Sequence, residues 1–201
     1  MKALASLRKE ASGCHACPLW KDATQTVFGV GPATADVMLV GEQPGDQEDR
    51  QGRPFVGPAG RIPDDALAAA GIPRDRAYVT NAVKHFKWKA RGKRRIHDKP
   101  SWSEVAACRP WLEAEVAAVR PQAIVALGAT AAGAVVDRTV AITRERGQPL
   151  SSDLARLVLA TFHPSAVLRA QGRKEAMPAD IVEDLRVVAR TLVKPAVQRS
   201  A

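Results

Sequence analysis

The chain has 201 residues, 46% of them hydrophobic and 25% charged, which is ordinary for a globular protein with a substantial core. Its formal net charge of +9 indicates a polyanionic partner, most often nucleic acid, although a generally basic protein would carry the same excess. No apolar run reaches the roughly 18 residues of a membrane helix, and the first residues lack the apolar core of a signal peptide, so we expect a cytoplasmic, intracellular protein.

The hydrophobic pattern, followed along the chain, predicts strands that alternate with helices. The first residues predict a short amphipathic helix. Apolar, β-branched runs then predict four strands, at residues 35–40, 76–83, 122–128 and 156–162. Helical patterns lie at 64–71, ending on Gly71, from Ser103 to just before Pro121, at 129–136 and at 178–193. This alternation predicts a single domain over residues 1–201, a three-layer α/β/α sandwich with a mainly parallel four-stranded central sheet.

Polar residues follow each predicted strand at the point where it ends. Glu42 follows the first strand, Asn81 ends the second, Gly128 follows the third and His163 follows the fourth. Each of them singly could be a surface, turn or capping residue. Because ligands of such sheets bind beyond the carboxyl ends of the strands, we expect these residues to converge on one site.

Three cysteines, Cys14, Cys17 and Cys108, need an explanation other than disulfides, which are rare inside cells. Cys14 and Cys17 form a C-x-x-C pair that Pro18 follows directly. Such a pair is a metal clip, and the Cys-Pro sequence is more typical of iron–sulfur sites than of zinc fingers. Zinc and a set of buried thiols remain the alternatives. A four-ligand cluster would need one more ligand, for which histidines are the candidates.

One stretch, residues 84–100, reads KHFKWKARGKRRIHDKP, and eight of its seventeen positions are Lys or Arg. A basic run alone predicts a solvated loop. This loop, however, carries a histidine near each end, His85 and His97, and the aromatic residues Phe86 and Trp88 interrupt the charge.

Several motifs together resemble the uracil-DNA glycosylase superfamily. They are CHACP at 14–18, GEQPG at 41–45, GRPFVGPAG at 52–60, VTNAVKH at 79–85 and HPSAVLR at 163–169. The match is closest to the iron–sulfur, family 4 branch of the superfamily. The segment KRRIH at 93–97 resembles the loop that distinguishes the UdgX group within that branch.

The resemblance implies a pocket for a uracil base that is turned out of the DNA stack. Phe55 would stack on the base, and the Asn81 carboxamide, with a donor and an acceptor, would pair with uracil O4 and N3–H. His163 would donate a hydrogen bond toward O2 as the base leaves, and the region of Gln43 would supply backbone amides.

The resemblance also implies that His97 attacks C1′ of the deoxyribose and stays attached, with Glu42 as its base or orienting group. Phosphate contacts are expected from the basic loop and from the segment after the fourth strand, at Lys93, Arg94, Arg95, Ser165 and Arg169. A structural [4Fe-4S] cluster is expected on four ligands: Cys14, Cys17, His85 and Cys108.

The expected activity is therefore excision of uracil that ends in a covalent protein–DNA adduct. An ordinary hydrolytic glycosylase is the alternative, and a non-catalytic, metal-containing DNA-binding module is a third. A dinucleotide enzyme fits poorly, because the glycine-rich residues 29–35 precede a strand instead of following one. We expect a nucleoid-associated monomer that prefers uracil in single-stranded DNA, where no partner base must be displaced.

Overall fold

A parallel four-stranded sheet forms the centre of the computed structural model, which describes residues 2–169 and 176–192. Its strands are β1 (Val37–Gly41), β2 (Ala77–Asn81), β5 (Ala123–Leu127) and β6 (Leu157–Thr161). They are ordered β2-β1-β5-β6, and all three neighbouring pairs are parallel. The predicted sheet is confirmed, and each strand lies within one residue or two of its predicted position.

Eight helices occur in the described ranges: α1 (Leu4–Ala11), α2 (Asp46–Gln51), α3 (Arg61–Ala69), α4 (Trp102–Val119), α5 (Ala129–Val136), α6 (Ile142–Glu145), α7 (Pro164–Arg169) and α8 (Ala176–Thr191). Short 3-10 turns lie at Pro18–Lys21, Pro58–Gly60 and Arg74–Arg76. Gly71 follows α3 with a φ of +77°, which suits a glycine after a helix. No helix within these ranges combines the length and the apolar character needed to cross a membrane.

The N-terminus of α4 differs from the prediction, because Ser101 and not Ser103 caps the helix. The Ser101 hydroxyl accepts a hydrogen bond from the N–H of Glu104 at 3.3 Å, and the Glu104 carboxylate accepts one from the N–H of Ser101. A serine three residues before a glutamate forms this reciprocal cap, a pairing that Ser103 lacks. Glu104 also forms an ion pair with Lys87 at 2.9 Å, so the cap is joined to the basic segment.

Helices cover both faces of the sheet, as predicted. Along β1, Met38 and Val40 face the layer that contains α4 and α5, while Val37 and Leu39 face α3 and α8. This alternation buries both faces of every strand, which is typical of parallel sheets. The three-layer α/β/α architecture is therefore confirmed.

The basic stretch is a β-hairpin, and its prediction as a loop is wrong. Strands β3 (Trp88–Arg91) and β4 (Arg94–His97) pair antiparallel, and Gly92 begins the two-residue turn with a φ of +59°. Paired residues share one face of a hairpin. One face therefore carries Trp88, His97, Ala90 and Arg95, and the other carries Lys89, Ile96, Arg91 and Arg94.

Candidate active site

A cavity of about 590 Å³ lies at the carboxyl edge of the sheet. The ends of β1, β2 and β5, the start of α7 and the hairpin all contribute to its wall. Six residues that the sequence singled out line it together: Glu42, Gln43, Phe55, Asn81, His97 and His163. The residues that follow four different strands therefore do meet at one place.

Glu42 and His97 form a carboxylate–imidazole pair in this cavity. Nε2 of His97 lies 3.4 Å from Oε1 of Glu42, and their side chains are 47% and 19% exposed. The His97 ring also lies 6.2 Å from the ring of the buried Phe86, measured between centroids. A carboxylate at this position can orient the imidazole or accept its proton, which is the arrangement that activates a nucleophile.

The Gln43 side chain holds the two ends of the hairpin together. Its Nε2 donates to the main-chain oxygens of Lys87, at 3.1 Å, and Asp98, at 3.0 Å, while its Oε1 accepts from the N–H of Lys87 at 3.2 Å. Gln43 therefore fixes the strand that carries His97, a role that the sequence did not reveal. Because the Gln43 side chain is bonded to the hairpin, the contact with the base that the resemblance implies would come from the Gln43 backbone.

Arg95 anchors the hairpin to α2. Its guanidinium donates to the carboxylates of Asp46 and Asp49, the latter at 2.7 Å, and its side chain is only 15% exposed. Since two carboxylates offset its charge, the phosphate contact predicted for Arg95 does not fit this geometry. Lys93 and Arg94, by contrast, are exposed at the turn and remain accessible to a phosphate backbone.

Asn81 and Phe55 approach each other above Gly41. Asn81 is 3% exposed, and no hydrogen bond joins its carboxamide to another residue of the described ranges. A Cβ atom added at Gly41 would lie 2.3 Å from Oδ1 of Asn81 and 2.8 Å from Cζ of Phe55. Phe55 itself has a φ of +57°, a conformation that is costly for a bulky residue and that concentrates at functional sites.

His163 is held in one tautomer by the residue two positions later. Its Nδ1 accepts a hydrogen bond from the backbone N–H of Ser165 at 3.1 Å and lies 2.7 Å from the Ser165 hydroxyl. Because a backbone N–H can only donate, the proton of a neutral His163 is on Nε2, which is then a donor. Ser165, expected to contact DNA, thus also orients this imidazole. Arg169 ends α7, and its side chain lies outside the described part of the structure.

Cys108 and Cys17 pack in the core layer that contains α4, and the sulfurs of two of the three cysteines accept N–H hydrogen bonds. Trp111 Nε1 donates to Sγ of Cys14 at 3.1 Å, and the backbone N–H of Lys84 donates to Sγ of Cys108 at 3.2 Å. Burial raises the pKa of the Cys108 thiol to about 11, although the charge and the backbone N–H of Lys84 act in the opposite direction. Burial also raises the pKa of Cys17.

His85 is buried, and its hydrogen bond leaves one ring nitrogen suited to a metal. Its Nε2 lies 2.9 Å from the hydroxyl of Thr26, which donates its single proton to the main-chain oxygen of Ala11 at 3.0 Å. Nε2 therefore carries the proton, and Nδ1 keeps a lone pair. Burial lowers the pKa of His85, which favours this neutral form. His15 stacks instead on Trp20, with 4.0 Å between ring centroids.

The thiols and His85 do not converge on a single point. In the part of the chain that the structure describes, no three His, Cys, Asp or Glu side chains are close enough to hold one metal ion. The residue types and the N–H···S contacts fit an iron–sulfur cluster, whose ligands bind different irons. A mononuclear zinc site would require four ligands around one centre.

Comparison with known proteins gives the chain a family. The family model described as the uracil DNA glycosylase superfamily matches residues 28–186. The Type-4 uracil-DNA glycosylase of Thermotoga maritima is 39% identical over 173 residues, which cover 86% of this chain and 85% of that protein. The Type-4 enzyme of Archaeoglobus fulgidus is 35% identical over 183 residues, or 87% of this chain and 88% of the relative.

A third relative carries a different type name. The Type-5 uracil-DNA glycosylase of Pyrobaculum aerophilum is 32% identical over 160 residues, which cover 71% of this chain and 67% of that protein. The family match agrees with the parallel four-stranded sheet flanked by helices. The chain belongs to the uracil-DNA glycosylase superfamily.

Proposed function

We propose that this protein excises uracil from DNA and then remains attached to the abasic deoxyribose through a covalent bond from His97 to C1′. The observation that carries the proposal is the position of His97, which lines the cavity for the base beside the carboxylate of Glu42. Glycosylase activity itself is supported by the family and by the names of the relatives. The UdgX-like outcome rests on His97 alone.

Recognition of uracil uses groups on three sides of the cavity. The Phe55 ring offers a stacking surface, and the Asn81 carboxamide offers the donor and acceptor that match O4 and N3–H of uracil. Cytosine presents a donor where uracil has O4, so it would leave the carboxamide mispaired, at a cost of about 1–3 kcal/mol.

Cleavage breaks the bond between C1′ and N1, and the electron pair leaves with the base. His163 Nε2–H donates toward O2 of uracil, where negative charge develops. The positive charge that develops at C1′ faces the Glu42 carboxylate. A ring nitrogen of His97 then forms the new bond to C1′, and the imidazole proton passes to Glu42, from which it reaches solvent or the departing base.

An ordinary hydrolytic enzyme is the second candidate, and the Type-4 names of the relatives favour it. In that case water attacks C1′, Glu42 accepts its proton and His97 only contacts the DNA strand. Both candidate functions use the same pocket. They differ in whether the reaction ends in a covalent protein–DNA adduct or in a free abasic site, and detecting one or the other decides between them.

The deciding experiment is a denaturing gel of the protein incubated with a uracil-containing single strand, run beside His97→Ala. A band that is shifted, resists heat and SDS, and vanishes with His97→Ala is the expected result. Free abasic sites without a shifted band would replace the adduct with the hydrolytic function. If neither an adduct nor an abasic site forms, the protein is a DNA-binding module without glycosylase activity.

DNA contacts are proposed at the open side of the cavity. Lys93 and Arg94 at the hairpin turn supply exposed charge for phosphates, and Arg95 instead holds the hairpin in place. We propose that Leu168, 52% exposed in the segment after β6, occupies the gap left by the flipped nucleotide. We further propose that the protein acts as a monomer and prefers single-stranded DNA, which needs no displacement of a partner base.

The cofactor proposed is a [4Fe-4S] cluster on Cys14, Cys17, Cys108 and Nδ1 of His85. When bound, it would crosslink the N-terminal loop, α4 and the residue that precedes the hairpin, without taking part in base excision. The sulfurs of two of these ligands, Cys14 and Cys108, already accept N–H hydrogen bonds in the protein, which is typical of the surroundings of such clusters. The cluster would thereby order the segment that delivers His97.

A further inference from the structure

A fully buried ion pair lies directly behind the base-reading end of β2. Lys84 and Glu115 bridge each other with side chains that are 1% and 0% exposed. Removing two charges from water is costly unless their remaining donors and acceptors are also satisfied. Here Lys84 Nζ donates to the Thr80 hydroxyl and to the main-chain oxygen of Asn81, both at 2.7 Å.

The Glu115 carboxylate accepts hydrogen bonds from separate parts of the chain. Its Oε1 accepts from the backbone N–H of Gly29 and from the Tyr78 hydroxyl, each at 2.9 Å, and its Oε2 accepts from the Thr80 hydroxyl at 2.9 Å. Because Glu115 lies on α4 and Tyr78 and Thr80 lie on β2, the carboxylate ties the helix to the strand. The Lys84 ammonium is consequently held in one position.

The position of that ammonium bears on Asn81. The Asn81 carboxamide has no hydrogen-bond partner among the described residues, so packing alone fixes its direction. Its main-chain oxygen, however, is fixed by Lys84, whose own backbone N–H donates to the buried Cys108. Lys84 thus joins the uracil-reading residue to a proposed cluster ligand.

We propose that Lys84 and Glu115 are positioning residues for uracil recognition, an inference that rests on the proposed function. Together with the hydrogen bond from the Ala82 N–H to the Gly41 oxygen, the ion pair fixes the peptide of Asn81, so that the carboxamide enters the cavity already oriented toward the base edge. If folding already orients the Asn81 carboxamide, substrate binding does not have to orient it. A small misplacement of such a group lowers the reaction rate strongly. Neither residue contacts the substrate.

A double-mutant cycle separates this role from general stabilisation of the core. The pair is neutralised by Lys84→Met together with Glu115→Gln, which leaves no unpaired buried charge. Uracil release is measured in single turnover, with protein in excess, in the native and Asn81→Ala backgrounds. Circular dichroism and thermal melting establish that each variant is folded, and Glu115→Gln alone, which leaves the buried Lys84 without its counter-ion, serves as a second, more disruptive variant.

We expect the neutralised pair to slow uracil release by about tenfold or more when Asn81 is present, and to leave the half-saturating protein concentration within about twofold. In the Asn81→Ala background the further loss should stay below about twofold. Equal losses in both backgrounds would overturn the inference alone. A native protein that releases no uracil would overturn the proposed function and the inference with it.

Tyr78→Phe is the matched control. It removes one donor to Oε1 of Glu115, the oxygen that Lys84 does not contact, and leaves both contacts between Lys84 and the end of β2. Its rate of uracil release should stay within about twofold of the native rate. A loss as large as that of the neutralised pair would show that any disturbance of this network has the same effect, and would reject a specific link to Asn81.

Discussion

Nε2 of His97 lies 3.4 Å from Oε1 of Glu42, although Glu42 follows a strand of the central sheet and His97 ends the hairpin, 55 positions later in the sequence. The contact depends on the hairpin, which Gln43 holds at its base and Arg95 holds at its side. The nucleophile proposed here is therefore positioned by residues that do not themselves touch the substrate.

Glu42→Gln should slow uracil excision and adduct formation by about 10²-fold or more, because the amide cannot accept the imidazole proton or face a developing cation at C1′. The measurement is the rate of both products in single turnover. Glu113→Gln, which removes a carboxylate from a surface ion pair with Arg109, is the control and should keep the native rate. Full adduct formation by Glu42→Gln would exclude the proposed pairing with His97.

Arg94 and Arg95 are neighbours whose side chains lie on opposite faces of the hairpin. Their alanine variants should therefore differ in stability and in DNA binding. Arg95→Ala leaves the fully buried carboxylate of Asp49 without its ion-pair partner, so we expect a loss of about 3 kcal/mol in the free energy of unfolding. Arg94→Ala should leave that free energy unchanged but weaken DNA binding and reduce the salt dependence of log K by about 1.

Chemical denaturation and DNA titrations at several salt concentrations measure the two effects. An Arg95→Ala protein of native stability would show that the ion pairs on α2 do not anchor the hairpin. A salt dependence that Arg94→Ala leaves untouched would remove that residue from the proposed DNA contact. Both arginines belong to one tetrapeptide, so composition and local charge are matched in this comparison.

The sheet and its functional edge could be predicted because the signals are local. Apolar, β-branched runs define buried parallel strands, and parallel strands bring whatever follows them to one edge. For this reason Glu42, Asn81 and His163 could be placed together without a structure. The limits of α5 were also predicted correctly, since an apolar, alanine-rich run directly follows a strand.

The hairpin could not be predicted in the same way. Its strands lack a hydrophobic alternation, and the contacts that stabilise it come from Gln43, Asp46 and Asp49, between 44 and 55 positions away along the chain. The glycine at position 92 was the only local turn signal. Lys84 and Glu115 were missed for a related reason, because a buried ion pair looks like ordinary surface charge in a sequence.

Gly41→Ala should block the base pocket and leave the fold intact. The added methyl group would meet the ends of the Asn81 and Phe55 side chains, at 2.3 and 2.8 Å, and not the backbone. We expect uracil release to fall by about tenfold or more, with little change in melting temperature. Gly13→Ala, whose nearest neighbour would be 3.9 Å away, is the control. Native activity in Gly41→Ala would mean that uracil does not lie over this strand end.

The metal ligands can be tested by metal content. His85→Ala removes the proposed imidazole ligand, so the purified protein should hold less than about half the iron of the native chain and lose visible cluster absorbance. His85→Cys should keep both, because a thiolate can take the same position on an iron. His15→Ala is the control, since His15 stacks on Trp20 and is not among the proposed ligands.

Elemental analysis of the same proteins distinguishes the metals. Iron in the native chain, lost in His85→Ala and kept in His85→Cys, would support the ligand set. Zinc in place of iron would reject the cluster, and a native iron content in His85→Ala would reject the fourth ligand. We expect iron to be lost in His85→Ala because of how the His85 ring is held. The Thr26 hydroxyl accepts a hydrogen bond from Nε2–H, so only Nδ1 carries a lone pair that a metal can use.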